Sequence, residues 1–209
     1  MDIEKFKQLP ILGILRGIDV ESIEPLVEAS ISAGLKTIEI TMNTRGAATL
    51  IAKARASAGK RLTVGAGTVL SVKSLEIAMD AGATFIVTPV LVEEIMKYCV
   101  KNKIPVFPGA LSVQEIYNAW NAGAAMVKVF PSGSFGPKYF KEIKEPFNDI
   151  KLLACGGVTP ENMNEYFSCG ADAISFGTSV FKREWIAGKD FKSVGEAVKR
   201  YISVFKEGI

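Results

Sequence analysis

Short apolar segments alternate strictly with helical segments along this chain, in units of about 25 residues. We predict eight strands, at 11–15, 36–41, 62–68, 84–88, 105–108, 124–131, 150–155 and 171–176. Helices are predicted at 2–8, 22–33, 46–58, 72–81, 92–102, 112–122, 137–145, 160–169 and 190–206. Strands joined by helices form parallel sheets with right-handed crossovers. The pattern therefore predicts an α/β fold: one (β/α)8 TIM barrel with a short N-terminal helix, as a single domain over residues 1–209.

Glycine follows alanine where several predicted helices end, at Gly34, Gly82 and Gly123, and Gly170 is a variant of the same signal. Glycine at this position is typical of a left-handed helix C-cap, so it supports the predicted boundaries. A doubly wound open sheet is the alternative architecture. No G-x-G-x-x-G motif follows the first strand, which disfavours a dinucleotide site.

The composition removes several chemistries. The chain has no histidine, which excludes Ser-His-Asp and Cys-His catalysis and most zinc sites. The three cysteines, Cys99, Cys155 and Cys169, form no C-x-x-C motif, so we predict a reducing, cytoplasmic setting. A net charge of 25 − 22 = +3 does not indicate nucleic-acid or membrane partners. No signal peptide or membrane span is predicted.

One lysine lies inside the predicted strand 124–131, where Lys128 shares a face with Met126 and Phe130. It is either an exposed lysine on an edge strand or a desolvated amine that gives up its proton and attacks carbonyl groups. Glu39 lies inside the second strand, and a carboxylate buried there needs a partner, for which Lys128 is the natural candidate. The pair is either a structural ion pair or a nucleophilic amine beside a general acid–base.

Small and polar residues collect at the carboxyl ends of the predicted strands, where barrels of this kind place their sites. Gly156 and Gly157 follow the seventh strand, and the segment 177–179 follows the eighth. Backbone N–H groups in such loops commonly bind phosphate, although tight turns also explain the glycines. Arg16 ends the first strand and can hold a carboxylate together with Thr68, unless both are cap or rim residues.

Five motifs occur in order along nearly the whole chain, at 38–41, 65–69, 86–89, 127–131 and 156–158. Together they resemble the class I aldolases for 2-keto-3-deoxy-6-phosphogluconate and 4-hydroxy-2-oxoglutarate. The resemblance implies a (β/α)8 barrel, usually a homotrimer, that forms a lysine Schiff base and needs no metal or other cofactor. It implies a lyase of the Entner-Doudoroff type that cleaves phosphorylated 2-keto acids: 2-keto-3-deoxy-6-phosphogluconate to pyruvate and D-glyceraldehyde 3-phosphate, and 4-hydroxy-2-oxoglutarate as a further substrate.

The resemblance also implies roles for individual residues. Lys128 is the expected Schiff-base lysine and Glu39 the expected proton shuttle. The expected substrate-binding residues are Arg16, Asn43, Thr68, Pro89, Phe130, Cys155, Gly156, Gly157, Gly177, Thr178 and Ser179.

Two positions depart from the gluconate type. Asn43 lies where many members have an arginine, and Cys155 lies where many have a threonine. Relatives that act on the galactonate epimer resemble this chain in both respects, so that epimer is the alternative substrate, with Arg16 as a replacement for the missing arginine. A phosphosugar isomerase or epimerase, and a non-catalytic phosphosugar-binding barrel, are the alternatives of other classes.

Overall fold

The computed structural model describes residues 1–208 and contains nine parallel strands. These are β1 (Ile11–Leu15), β2 (Thr37–Thr41), β3 (Thr63–Gly67), β4 (Ile86–Val87), β5 (Val106–Phe107), β6 (Gly109–Ala110), β7 (Val127–Val129), β8 (Leu152–Cys155) and β9 (Ala173–Phe176). Their order in the sheet is β5-β4-β3-β2-β1-β9-β8-β7-β6. Because β5 and β6 are two halves of one segment split at Pro108, the ring closes through that segment. The prediction of an α/β barrel is confirmed, and the open sheet is excluded.

Helices connect the strands on the outside of the barrel. They are α1 (Ile3–Gln8), α2 (Ile23–Ser32), α3 (Ala47–Ala58), α4 (Val72–Asp80), α5 (Glu93–Lys101), α6 (Val113–Asn121), α7 (Pro137–Lys144), α8 (Met163–Ser168), α9 (Arg183–Ala187) and α10 (Phe191–Glu207), with a 3-10 turn at Ser132–Ser134. Helix α9 lies where the sequence pattern predicts no helix. Across residues 1–208, no helix combines the length and the apolar character that crossing a membrane requires.

The glycines that end the helices have the conformation that the sequence predicts. Gly34, Gly82, Gly123 and Gly170 have φ values of 97°, 95°, 92° and 99°. A residue with a Cβ is strained in this left-handed region, so glycine lets the chain turn sharply from helix to strand. Each of these turns connects a helix on the outside of the barrel to the strand that follows it.

The barrel interior has its own hydrophobic core, separate from the layer between strands and helices. It consists of Phe6, Leu12, Phe85, Val87, Phe107, Met126, Leu153 and Ala173. Helix α1 closes the amino-terminal end, because Phe6 is only 3% exposed and its ring lies 6.0 Å from that of Phe107. Burying such a side chain contributes about 1.5–3 kcal/mol, so the interior is a packed plug at this end of the barrel.

Candidate active site

A cavity of about 450 Å³ opens at the carboxyl ends of the strands. The predicted site residues that line it are Arg16, Asn43, Thr68, Pro89, Lys128, Phe130, Cys155, Gly156, Gly157, Gly177, Thr178 and Ser179. Glu39 is the one predicted site residue outside this lining. The fold therefore brings twelve of the thirteen predicted site residues together at the carboxyl ends of the strands. Their roles stay predictions.

Lys128 lies at the centre of β7 with strands on both sides. It pairs in register with Gly109 on β6 and with Leu153 on β8, so its interpretation as an exposed edge lysine is wrong. The residue is 6% exposed, and its Nζ atom lies 5.4 Å from the centre of the Phe130 ring. The amine therefore reaches the cavity from an apolar wall, where a carbonyl carbon can approach it.

Glu39 projects from β2 into the barrel interior and is 1% exposed. Among the side chains of residues 1–208, its Oε2 is the buried polar atom that lacks a hydrogen-bond partner. Burial raises the pKa of this carboxyl, and the positive charges of Lys128 and Arg16 oppose that rise. None of the ion pairs within residues 1–208 joins Glu39 to Lys128. The two groups therefore interact by longer-range electrostatics rather than by direct contact.

Gly67 on the neighbouring strand β3 makes the space that the Glu39 carboxylate occupies. A Cβ atom added at Gly67 would overlap Oε1 of Glu39 and lie 2.6 Å from its Cδ. Two residues earlier, Gly65 leaves room for the Phe85 ring in the same way. The two glycines of β3 thus leave the space inside the barrel that side chains of the adjacent strands occupy.

The loops after β8 and β9 present free backbone donors. Gly156 and Gly157 have φ values of 85° and 83°, and the carbonyl of Gly156 accepts hydrogen bonds from Gly133 N at 2.7 Å and Ser132 Oγ at 2.8 Å. The N–H groups of Gly157 and of residues 178–179 donate to no acceptor within the described part of the chain. Converging free N–H groups in small-residue loops are suited to bind a phosphate.

Arg16 and Thr68 meet at the rim of the cavity. Arg16 Nη2 lies 3.5 Å from Thr68 Oγ1, and Thr68 has a φ of 54°, which is uncommon for a threonine. The turn after Arg16 is held by Gly17, whose N–H donates to Thr44 Oγ1 at 3.0 Å. A guanidinium beside a hydroxyl is suited to bind a carboxylate. Asn43 also lines the cavity but brings no charge.

Five residues that line the cavity are not among the predicted site residues: Ile14, Val158, Thr159, Ser175 and Phe176. Ser175 has a detectable signal, since it is a polar residue within an apolar strand, as Lys128 is. It is 1% exposed, and it pairs in register with Cys155, which is 4% exposed. Burial raises the pKa of the Cys155 thiol.

The chain is a parallel barrel whose cavity is lined by a buried amine and by loops with free N–H groups, an arrangement suited to an enzyme that acts on anionic carbonyl compounds. The chain belongs to the KDPG and KHG aldolase family, whose model matches residues 3–197. It is therefore an aldolase, and so a lyase. Within residues 1–208, no group of three or more histidine, cysteine, aspartate or glutamate side chains is arranged to hold a metal ion.

Individual relatives fall into both substrate types. The chain is 31% identical over 203 residues to 2-dehydro-3-deoxy-6-phosphogalactonate aldolase of Escherichia coli K12, covering 97% of each chain. It is 31% identical over 200 residues to 2-dehydro-3-deoxy-phosphogluconate aldolase of Pseudomonas aeruginosa, covering 95% of this chain and 89% of that one. The structure of a KDPG aldolase from Legionella pneumophila, with pyruvate captured as a covalent carbinolamine, has a TM-score of 0.84 at 25% identity and covers 91% of this chain and 92% of that one.

Proposed function

We propose that this protein cleaves 2-keto-3-deoxy-6-phosphogluconate to pyruvate and D-glyceraldehyde 3-phosphate through an imine on Lys128. The observation that carries the proposal is the cavity itself, which is lined both by a buried amine and by the 156–157 and 177–179 loops with their free N–H groups. A substrate with a ketone at C2 and a phosphate at C6 has the matching chemistry. The pyruvate carbinolamine of the Legionella relative supports the covalent step.

The mechanism follows from the two buried groups. The neutral amine of Lys128 attacks C2, a carbinolamine forms, and loss of water leaves a protonated imine. Glu39, directly or through a water, takes the C4 hydroxyl proton, and the electrons of the C3–C4 bond move into the imine. The aldehyde leaves, Glu39 returns the proton to C3 of the enamine, and hydrolysis releases pyruvate. Because burial raises the pKa of Glu39, this carboxyl is a better base than an exposed one.

Other residues position the two anionic ends of the substrate. In this proposal Arg16 and Thr68, which are hydrogen-bonded to each other, bind the C1 carboxylate, and the free loop N–H groups bind the phosphate. Contacts far from the broken bond hold the reacting atoms in line, which lowers the barrier without taking part in the chemistry. The same carboxylate and imine sites would accept 4-hydroxy-2-oxoglutarate, which lacks the phosphate.

A specific observation favours a second candidate, the galactonate epimer at C4. Asn43 carries no guanidinium and Cys155 no hydroxyl, whereas Arg16 reaches the rim beside Thr68 and can take over the carboxylate. The two relatives of different substrate type are equally identical to this chain, at 31%. Steady-state cleavage of the two C4 epimers side by side decides between them, and the larger kcat/KM names the substrate.

The proposal includes a homotrimer in the cytoplasm. Three apolar side chains support contact between copies, because Leu70, Val90 and Phe135 lie in loops that follow β3, β4 and β7 and are 55%, 53% and 55% exposed. Large apolar side chains exposed at the carboxyl end of the barrel are available for such a contact. Sedimentation equilibrium of the purified protein tests the trimer, and a monomer at micromolar concentration would contradict it.

Borohydride reduction in the presence of pyruvate tests the function. We expect the wild type to gain one reduced pyruvate on Lys128 by mass spectrometry, and Lys128→Arg to gain none and to lose cleavage, because it keeps the charge but removes the nucleophile. Lys36→Arg, at an exposed lysine before β2, is the matched control and should behave as the wild type. Near-native cleavage by Lys128→Arg would rule out the imine. An isomerase would form no adduct, and a binding barrel would form no product.

A further inference from the structure

Cys155 and Ser175 form a pair of inward-facing residues at the ends of β8 and β9, directly before the phosphate loops. Lys128 is in register with Leu153, and Leu153 is in register with Ala173. Two residues further along the same strands, Cys155 is in register with Ser175, and both side chains line the cavity. Two residues of strand span about 6.6 Å, so the backbone of this pair lies one step nearer the phosphate loops than that of Lys128, whose long side chain reaches up to the Cys155 thiol.

The carbon chain of the proposed substrate has to pass this pair, an argument that rests on the proposed function. With C2 bound to Lys128 and the phosphate held by the loops that follow β8 and β9, carbons C3 to C5 extend along those two strands. The C4 hydroxyl gives its proton to Glu39 in the proposed mechanism. The C5 hydroxyl then enters a buried part of the cavity, where it needs a hydrogen-bond partner.

Ser175 is the suitable partner in this part of the cavity. The residue is 1% exposed, and its hydroxyl donates to the carbonyl of Ala154 at 3.2 Å, so the hydrogen is already used and the oxygen lone pairs remain free to accept. The thiol of Cys155 is a weak acceptor by comparison. The other hydroxyls that line the cavity, on Thr68, Thr159, Thr178 and Ser179, are more exposed than that of Ser175.

We propose that Ser175 accepts a hydrogen bond from the C5 hydroxyl of the substrate and is a specificity-determining residue of this aldolase. In the reverse, condensing direction, this contact selects aldehydes that carry a hydroxyl next to the carbonyl carbon. The contact binds an atom that takes no part in bond breaking, so it positions the substrate and leaves imine formation with pyruvate unaffected.

The test compares two aldehydes in condensation with pyruvate: D-glyceraldehyde 3-phosphate, and 3-phosphooxypropanal, which lacks only the hydroxyl. The wild type should prefer the hydroxylated aldehyde by about tenfold in kcat/KM, the size of one hydrogen bond. Ser175→Ala and Ser175→Cys should lose about tenfold with D-glyceraldehyde 3-phosphate and change little with the other aldehyde. Cys155→Ala, which removes the paired side chain, should change both rates to the same extent.

Two results would overturn the inference. One is a wild type that uses both aldehydes equally well. The other is a set of Ser175 variants whose kcat/KM falls equally with both aldehydes, or does not fall with either. The wild-type comparison needs no variant, so the inference stays testable if a substitution prevents folding. Trapping of pyruvate by borohydride should be equal in the wild type and in Ser175→Ala. A wild type that traps no pyruvate and forms no condensation product overturns the proposed function itself, which is a different result from a lost aldehyde preference.

Discussion

Replacing Gly67 with alanine tests whether this glycine is needed to make space for the Glu39 carboxylate. The added Cβ would overlap Oε1 of Glu39 and lie 2.6 Å from its Cδ, inside any normal contact distance. The φ of Gly67 lies outside the left-handed region, so the backbone accepts alanine and the cost arises from the contact alone. Glu39 is 1% exposed and has little room to withdraw.

The expected magnitude follows from this overlap. One extra methyl group in a packed interior costs about 1–3 kcal/mol of unfolding free energy. With a urea m-value of about 2 kcal/mol/M, the unfolding midpoint should fall by about 0.5–1.5 M. Activity should fall further, by about a hundredfold, since a displacement of about 1 Å misaligns a catalytic group.

Urea unfolding followed by tryptophan fluorescence measures the stability, and cleavage kinetics measure the activity. Gly195→Ala is the matched control, because Gly195 lies inside α10 and its added Cβ would lie 3.6 Å from the nearest atom, Ala29 O. Alanine is about 1 kcal/mol more favourable than glycine inside a helix, so this variant should be equally stable or more stable. Its activity should equal that of the wild type.

A double-mutant cycle identifies the cause. In the Glu39→Ala background the carboxylate is gone, so Gly67→Ala should cost much less unfolding free energy than it does in the wild type. If Gly67→Ala is as stable and as active as the wild type, the space argument is wrong. If its cost is unchanged in the Glu39→Ala background, the destabilisation arises elsewhere, and the argument is equally wrong.

Two further predictions concern charge. Burial raises the pKa of Glu39 above its ordinary value of 4.5, so above that pH the folded chain binds more protons than the unfolded chain, and this group's contribution to stability falls as the pH rises. Urea midpoints of Glu39→Gln relative to the wild type should therefore increase as the pH is raised from 4.5, and a constant difference would contradict this. Arg16→Gln should raise KM for the 2-keto acid about tenfold or more, with a smaller change in kcat. The control Arg45→Gln, at an arginine outside the cavity lining, should leave KM unchanged. A KM of Arg16→Gln equal to that of the wild type would contradict the prediction.

The sequence predicts the barrel and most of the cavity lining because both depend on local order. Alternating strands and helices define the fold, and a residue's position along its own strand decides whether it reaches the open end. Thr178 and Ser179 are found in this way without any knowledge of neighbouring strands. Lys128 is found because a single charge inside an apolar segment is rare.

The rest depends on how strands are staggered against each other. The register that pairs Ser175 with Cys155 cannot be read from either strand alone, so the sequence pattern does not identify this serine as a site residue. The predicted contact between Glu39 and Lys128 is replaced by a longer-range interaction, because the interior of the barrel sets the separation of side chains on opposite strands. The division of the fifth strand at Pro108 and the extra helix α9 also follow from packing rather than from periodicity.

Two glycines of strand β3 make space for two different kinds of buried side chain, one in the packed core and one near the cavity. Its inward positions Gly65 and Gly67 bring no side chains, and each vacancy is filled from a neighbouring strand: Phe85 beside the first, and the Glu39 carboxylate beside the second. Phe85 belongs to the packed core that α1 closes, whereas Oε2 of Glu39 is left without a partner among the described residues. An unpartnered buried oxygen costs about 1–3 kcal/mol, so the second glycine accommodates a group that destabilises the fold. In the proposed mechanism this cost has a chemical return, because the same desolvation raises the pKa of Glu39 and makes its carboxylate a stronger base.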